Sequence, residues 1–277
     1  VWATNTRWNK KMNKNLSIIL PTLNESKNLE SLIPEIVDII SSRDISNYEI
    51  LIVDDGSVDD SNEVCNELNK EYGNIKFVKR KNSPSLPMSI YEGIELSIND
   101  NVAWLDADGS MPATALGNLI DHFFIDENLV VIGSRFVVGG GYKGVKDLNT
   151  SFFKAIKNVN NSSDSVFGMI FSMYFNKFLV RLFGSDIKDL TSGFIIGKKT
   201  LFSKSNFEKS NYGEYFVYLV ADLLKNKVNI KEIGYICETR IHGESKTASN
   251  LFQLISRGIP YINCLWYTSD AADEVVR

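Results

Sequence analysis

The sequence predicts an α/β fold, a mostly parallel central sheet flanked by helices. Three observations predict it. Short apolar runs alternate with stretches of helical spacing through the first half of the chain. Each of the main apolar runs is closed by a turn-forming or acidic cluster. Those clusters, Pro21 to Glu25, Asp54 to Ser57 and Asp106 to Ser110, all stand where a strand should end. A parallel sheet binds ligands beyond the carboxyl ends of its strands. Three polar clusters far apart in sequence are therefore expected on one rim.

The elements follow in order. Leu16 to Leu20 is a short apolar run stopped by Pro21, which predicts a buried strand. Asn24 to Ser26 can cap the next helix, in which Leu29, Leu32, Ile33, Ile36, Val37 and Ile40 keep helical spacing. Tyr48 to Val53 is a second strand. Asp60 or Ser61 opens a second helix, with Val64, Cys65 and Leu68 on its inner side. Ile75 to Val78 is a third strand, Ser89 to Ile98 a helix, and Asn101 to Leu105 a fourth strand. The second half is less regular. Leu129 to Gly133 reads as a strand, Gly139 to Gly141 as a flexible loop, and Val166 to Gly184 as a strongly apolar helix. Asp189 to Phe194 leads into a strand at Ile195-Ile196. Tyr212 to Leu224 reads as a helix, Ile230 to Ile236 as a strand, and Arg240 to Thr247 as a polar loop with two basic residues.

The totals bound the class. The 277 residues are 44% hydrophobic and 23% charged, ordinary for a folded domain, and can build one large core. A net charge of −4 gives no basic field for nucleic acid. Cys65, Cys237 and Cys264 show neither metal spacing nor an even framework, which suits a reducing compartment. The expected layout is one domain over 12–266. Residues 1–11 and 267–277 read as non-native or disordered ends, and the natural chain is expected to be able to continue past Trp266 into a membrane segment.

Asp106 and Asp108 carry the most chemistry. On a strand, alternate residues point to the same side, so both carboxylates would converge on one point. Such a pair repels itself unless a cation lies between its members. Hard oxygen ligands at this spacing suit Mg²⁺ or Mn²⁺. The plain alternative is a strand terminator that caps the helix after Pro112. Asp54 and Asp55 are either turn formers or partners for a nucleobase or ribose. Glu25 either caps the first helix or meets the same nucleoside. Arg135, Arg240 and Lys246 are loop cations that either face solvent or clamp phosphate oxygens. His242 reads as structural. The helix from Val166 to Gly184 is either buried or a lipid surface. In the second case Phe171, Phe175 and Phe178 would enter the interface, with Lys177 and Arg181 snorkelling.

Pro21-Thr22-Leu23-Asn24-Glu25, Val53-Asp54-Asp55-Gly56-Ser57 and Asp106-Ala107-Asp108 together resemble the nucleotide-sugar domain of inverting family 2 glycosyltransferases with the GT-A fold. Gly133-Ser134-Arg135, Asp189 to Phe194, and Arg240 through Gly243-Glu244-Ser245-Lys246 narrow the resemblance to dolichol-phosphate (polyprenol-phosphate) mannosyltransferases. The resemblance implies that Pro21, Glu25 and Asp55 hold the guanosine or uridine part, with Val53 lining the base and Leu23 and Asp54 also counted among the donor-binding residues. Leu23 replaces the Tyr common in that motif. It implies that Asp106, Ala107 and Asp108 hold the sugar diphosphate, the aspartates through Mg²⁺ or Mn²⁺. Ser110 stands where relatives often place Gln as a further metal ligand. Arg135, Arg240 and Lys246 would meet donor or acceptor phosphates, with Asp106, Asp108 and Arg240 as the catalytic set.

The implied reaction moves a hexose with inversion from a nucleotide sugar, GDP-mannose first and UDP-glucose as the alternative, to polyprenyl or dolichyl phosphate. A lipid phosphate is already ionised and needs no strong base. A glycan or other hydroxyl acceptor would need one, and Asp189 is the one candidate. The implied place is the cytoplasmic surface of a membrane. A non-catalytic nucleotide-sugar binding module is the reading from another class.

Overall fold

The computed structural model describes residues 14–142, 166–184, 186–238 and 260–261. Strand β1 (Asn15–Thr22), helix α1 (Ser26–Ser41), β2 (Asn47–Asp54), α2 (Ser61–Tyr72), β3 (Ile75–Lys79), α3 (Leu86–Leu96) and β4 (Asn101–Trp104) alternate as expected. There follow α4 (Ala113–Phe123), β5 (Leu129–Ser134), β6 (Gly141–Tyr142), α5 (Val166–Phe183), β7 (Ile195–Lys198), α6 (Lys204–Glu208), α7 (Tyr215–Lys225), β8 (Asn229–Gly234) and β9 (Ile236–Cys237). Seven strands form one sheet in the order β3-β2-β1-β4-β7-β5-β8, and β6 pairs with β9 in a second.

Within the large sheet β1, β2, β3 and β4 run parallel. Strand β7 enters antiparallel between β4 and β5, and β5 pairs parallel with β8. Strand β5 therefore shares the direction of β4. The carboxyl ends of β1, β2, β4, β5 and β8 lie on one rim, and the segment entering β7 reaches that rim from its other end. One antiparallel strand thus brings Asp189 to Phe194 to the same edge as the aspartate pair.

Strand alternation divides the core between the two faces of the sheet. Leu16, Ile18 and Leu20 pack with Leu29, Ile33 and Ile36 of α1 and Leu116, Leu119 and Ile120 of α4. Ile19, Leu51 and Val53 face the other way, onto Ile90 and Ile94 of α3 and Phe216 and Leu219 of α7. The far end of the sheet buries Glu49, which accepts hydrogen bonds from Ser17 Oγ at 2.6 Å, Lys76 Nζ at 2.8 Å and Ile98 N at 2.7 Å. That carboxylate is consumed by structure.

Some boundaries move. Helix α3 begins at Leu86 rather than Ser89, because Ser85 Oγ caps Met88 N and Pro87 fills the first turn, where no donor is needed. The helix expected from Tyr212 starts at Tyr215, and Gly141 belongs to β6 rather than to a loop. The strand expected over Ile230 to Ile236 divides at Tyr235. Its N–H still bonds Ser134 O at 3.0 Å, while its carbonyl accepts from Gly141 N at 3.0 Å. The chain changes sheets there, and Gly234 allows it, since a Cβ would strike the Val138 carbonyl.

Candidate active site

The aspartate pair sits at the centre of the rim. Strand β4 ends at Trp104, so Asp106 and Asp108 lie in the turn after it rather than on the strand. Alternation is therefore not what orients them. The turn is set by Gly109 at φ 78° and by Asp108 Oδ1, which accepts from Ser110 N at 2.9 Å. Ser110 O in turn accepts from Glu238 N at 2.9 Å, tying the end of β9 to the same turn. Asp108 is buried and Asp106 partly so, and Ala107 between them packs into the core. Beneath Asp106 lies a buried pair, in which Trp104 Nε1 donates to Tyr215 Oη at 3.0 Å. Burial raises the Tyr215 hydroxyl pKa, the Trp104 N–H opposes that shift, and the Asp106 charge adds to it.

Cys237 reports how the elements converge. Burial pushes its thiol up to about 12; Arg135 pulls it down, while Asp108, Asp106 and Asp189 push it further. Residues from β9 and from the ends of β4 and β5 thus act on one another electrostatically at short range. Among the described residues no three His, Cys, Asp or Glu side chains gather as a closed site. The two carboxylates of this one turn are hard oxygen donors, the chemistry that suits Mg²⁺ or Mn²⁺.

The nucleoside end is built from β1, β2 and the segment after β3. Pro21 and Val53 are register partners across β1 and β2. Val53 is fully buried and packs in the core beneath the rim. Asp54 is buried and accepts from Gly56 N at 3.1 Å and from Ser57 N at 3.1 and 3.2 Å. It forms the turn. Asp55 accepts from Ser85 N at 2.5 Å and from the Arg80 guanidinium, whose Nε also reaches Glu92 at 3.1 Å. Arg80 is buried, and nothing in its linear context marked it. Glu25 accepts from Asn28 Nδ2 at 2.6 Å; its backbone starts α1, but its side chain makes no cap. Leu23 is partly buried beside Asn24, which holds φ 57°. A hollow of about 180 Å³ opens here, lined by Asp54, Ser57, Phe77 and Lys79 among others.

Arg135 follows β5 and is gripped by Asp189. Its Nε reaches Asp189 Oδ2 at 2.9 Å, Nη2 reaches Oδ1 at 2.8 Å, and Nη2 also reaches Thr191 Oγ1 at 2.7 Å. The rings of Phe136 and Tyr142 lie 5.4 and 5.6 Å from its guanidinium carbon. Burial works against this charge, but Asp189 and neighbouring tyrosines outweigh it, so the pKa lies well above the ordinary arginine value. The guanidinium therefore stays charged and is committed to Asp189 and Thr191. Asp189 itself is fully buried and held by Arg135, Thr191 and the backbone N–H of Arg135.

The structure thus gathers Asp106, Ala107, Asp108, Ser110 and Arg135 on one rim with Pro21, Leu23, Glu25, Val53, Asp54 and Asp55. Arg240, His242 and Lys246 lie outside the described residues. Among the described residues, no helix is long and apolar enough to cross a membrane. Of the phenylalanines expected at a lipid surface, Phe175 instead packs inward, 5.4 Å from Tyr261, while Phe178 is exposed and the Phe171 side chain lies outside the described residues. Sequence reasoning missed Arg80, Tyr215 and Cys237 as parts of the rim, because only the folded topology brings them there.

Comparison with known proteins agrees with this geometry. The chain is 31% identical over 232 residues to a dolichol-phosphate mannosyltransferase of Pyrococcus furiosus, an alignment spanning 83% of this chain and 58% of that protein. It is 28% identical over 135 residues to a dolichol-phosphate mannosyltransferase of Mycosarcoma maydis, covering 48% of this chain and 46% of that one. The chain thus spans less than two thirds of the length of these relatives. Glucosyl-3-phosphoglycerate synthase of Mycobacterium tuberculosis, solved with Mn²⁺, UDP and glucosyl-3-phosphoglycerate, superposes with a TM-score of 0.61 at 17% identity, over 93% of this chain and 81% of that one. That likeness shows the fold, a GT-A sheet. The model of Glycosyl transferase family 2 matches residues 17–205, more than half of the chain. This protein belongs to glycosyl transferase family 2.

Proposed function

We propose that the chain transfers a hexose, mannose from GDP-mannose, to a polyprenyl or dolichyl monophosphate at the cytoplasmic surface of a membrane, with inversion. The observation that carries this reading is the state of Asp189. It is the one base candidate the sequence offered, and Arg135 and Thr191 occupy its carboxylate. A hydroxyl acceptor needs a base; a phosphate monoester arrives ionised. The similarity to dolichol-phosphate mannosyltransferases supports the same acceptor class.

In this reading an acceptor phosphate oxygen attacks the anomeric carbon as the bond to the nucleoside diphosphate breaks. The oxygen supplies the electron pair of the new bond, and the leaving diphosphate keeps that of the old one. Asp106 and Asp108 would hold Mg²⁺ or Mn²⁺, with Ser110 beside them. When bound, such an ion neutralises charge on the departing diphosphate. Arg135 would meet donor or acceptor phosphates, as the resemblance implies, with its guanidinium held in place by Asp189 and Thr191. Pro21, Leu23, Glu25, Val53, Asp54 and Asp55 frame the nucleoside, with the hollow by Phe77 and Lys79 next to it. Arg240 and Lys246 would meet the phosphates, as the resemblance implies.

A thermal-shift comparison of GDP and UDP with Mn²⁺ tests the donor, because selective binding raises apparent stability by mass action. A larger upward shift with GDP is expected. A shift with UDP alone would replace mannose from GDP-mannose by a UDP-sugar donor.

A further inference from the structure

Over the described side chains of helix α5 (Val166–Phe183), residues 172–183, one face is packed and the other carries exposed apolar groups. On the inner face Asn176 and Leu179 are 1% and 0% exposed. On the outer face Tyr174, Phe178 and Leu182 are 64%, 47% and 53% exposed. These three stand four residues apart in succession, which lines them up along one side of the helix. Lys177 and Arg181 are exposed between them, and Lys177 Nζ lies 5.9 Å from the Tyr174 ring centroid. The helix contains no acidic residue, on a chain whose net charge is −4.

From these residues we propose that the outer face of α5 is a docking surface for an anionic lipid bilayer. The proposal rests on the reading of a lipid-borne acceptor. A surface helix in water normally shows a polar outer face. An apolar stripe flanked by cations instead suits a helix lying in the headgroup boundary, with aromatic and aliphatic groups immersed and basic groups reaching phosphates. A second copy of the chain fits less well. A twofold contact would set Lys177 and Arg181 against the same residues of its mate, whereas an anionic surface complements them.

The helix also stands beside the catalytic rim. Asn176 Nδ2 donates to Lys188 O at 2.6 Å, and Asn176 Oδ1 accepts from Leu190 N at 2.9 Å. These two bonds clamp the backbone on either side of Asp189, the partner of Arg135. Ser172 lies 3.5 Å from the hydroxyl of Tyr142, whose ring stacks on Arg135. A bilayer met by the outer face would therefore lie one helix away from the fixed cation of the site, where a lipid-borne phosphate has to arrive.

Flotation of the full chain with vesicles tests this. Wild type is expected to float with phosphatidylcholine vesicles containing phosphatidylglycerol. The Tyr174→Ser/Phe178→Ser/Leu182→Ser variant is expected to lose about tenfold or more in partitioning. Lys177→Glu/Arg181→Glu should abolish the preference over pure phosphatidylcholine, as should high salt. The replaced side chains are exposed, so the melting midpoint and its rise with GDP and Mn²⁺ should stay at wild-type values. Equal flotation of the triple variant would overturn the proposal, as would failure of wild type to float. A dimer that the triple variant dissolves, without flotation, would assign the face to self-association instead. Flotation that depends on the stripe, in a protein that no nucleotide stabilises, would support the surface while removing the transferase reading.

Discussion

Arg135 and Asp189 meet in a two-pronged ion pair, Nε to Oδ2 at 2.9 Å and Nη2 to Oδ1 at 2.8 Å, that joins the end of β5 to the segment entering β7. The pair crosses the one antiparallel insertion in the large sheet. It commits the Arg135 guanidinium and the Asp189 carboxylate to each other. Removing one partner leaves the other charge buried. Asp189→Asn is therefore expected to cost about 3–5 kcal/mol of stability, measured by urea unfolding, with Arg135→Met/Asp189→Leu costing much less. A small loss in the single variant would mean that water reaches Arg135.

Tyr215→Phe removes the acceptor for Trp104 Nε1 and leaves a buried donor unpaired. The expected loss is about 1–3 kcal/mol, read from the denaturation midpoint. Because the hydroxyl lies under Asp106, the variant should also weaken Mn²⁺-dependent nucleotide binding, measured by calorimetry. Unchanged binding with lowered stability would make the tyrosine purely structural.

Cys237 offers a pH-dependent reporter. Burial holds its thiol near 12, and the carboxylates of Asp108 and Asp106 add to that by opposing a thiolate. At pH 8 it should resist alkylation by iodoacetamide, as followed by peptide mapping. Neutralising Asp108 as Asn lowers the thiol pKa, so the alkylation rate should rise at a given pH. A slower rate in Asp108→Asn would contradict the placement of that carboxylate.

Gly93→Ala tests the packing that supports the nucleoside end. A Cβ there would lie 2.5 Å from Ile19 Cγ2 and 3.1 Å from Val53 Cγ2. Helix α3 would have to lift off β1 and β2. Overpacking of this kind costs about 1–3 kcal/mol, seen as a lower melting midpoint. Nucleotide affinity should fall as well, since Asp55 is held by Ser85 at the start of the same helix.

Much of this fold was legible in the chain. Leu16 to Leu20 and Tyr48 to Val53 declare themselves as buried strands because each is short, apolar and closed by a turn former. Their alternation with helical spacing implies a parallel sheet, and the sheet implies the rim. The insertion of β7 was not legible, because strand order depends on contacts between residues far apart in sequence. The same holds for Arg80, a cation after β3 whose importance comes from Asp55, and for Tyr215, whose hydroxyl matters only once Trp104 lies beneath the turn. Asp106 and Asp108 fall in the glycine-bearing turn after β4 rather than on the strand, so strand alternation does not orient their side chains.

The most direct test is transfer itself. Purified protein, Mn²⁺, GDP-mannose and a short-chain polyprenyl phosphate should yield a β-linked mannosyl phosphate lipid, with the anomer assigned by NMR. Asp108→Asn, still folded, should lower turnover by about a hundredfold or more. Donor hydrolysis without lipid product, transfer to a soluble hydroxyl acceptor instead, or equal turnover by Asp108→Asn would contradict the account.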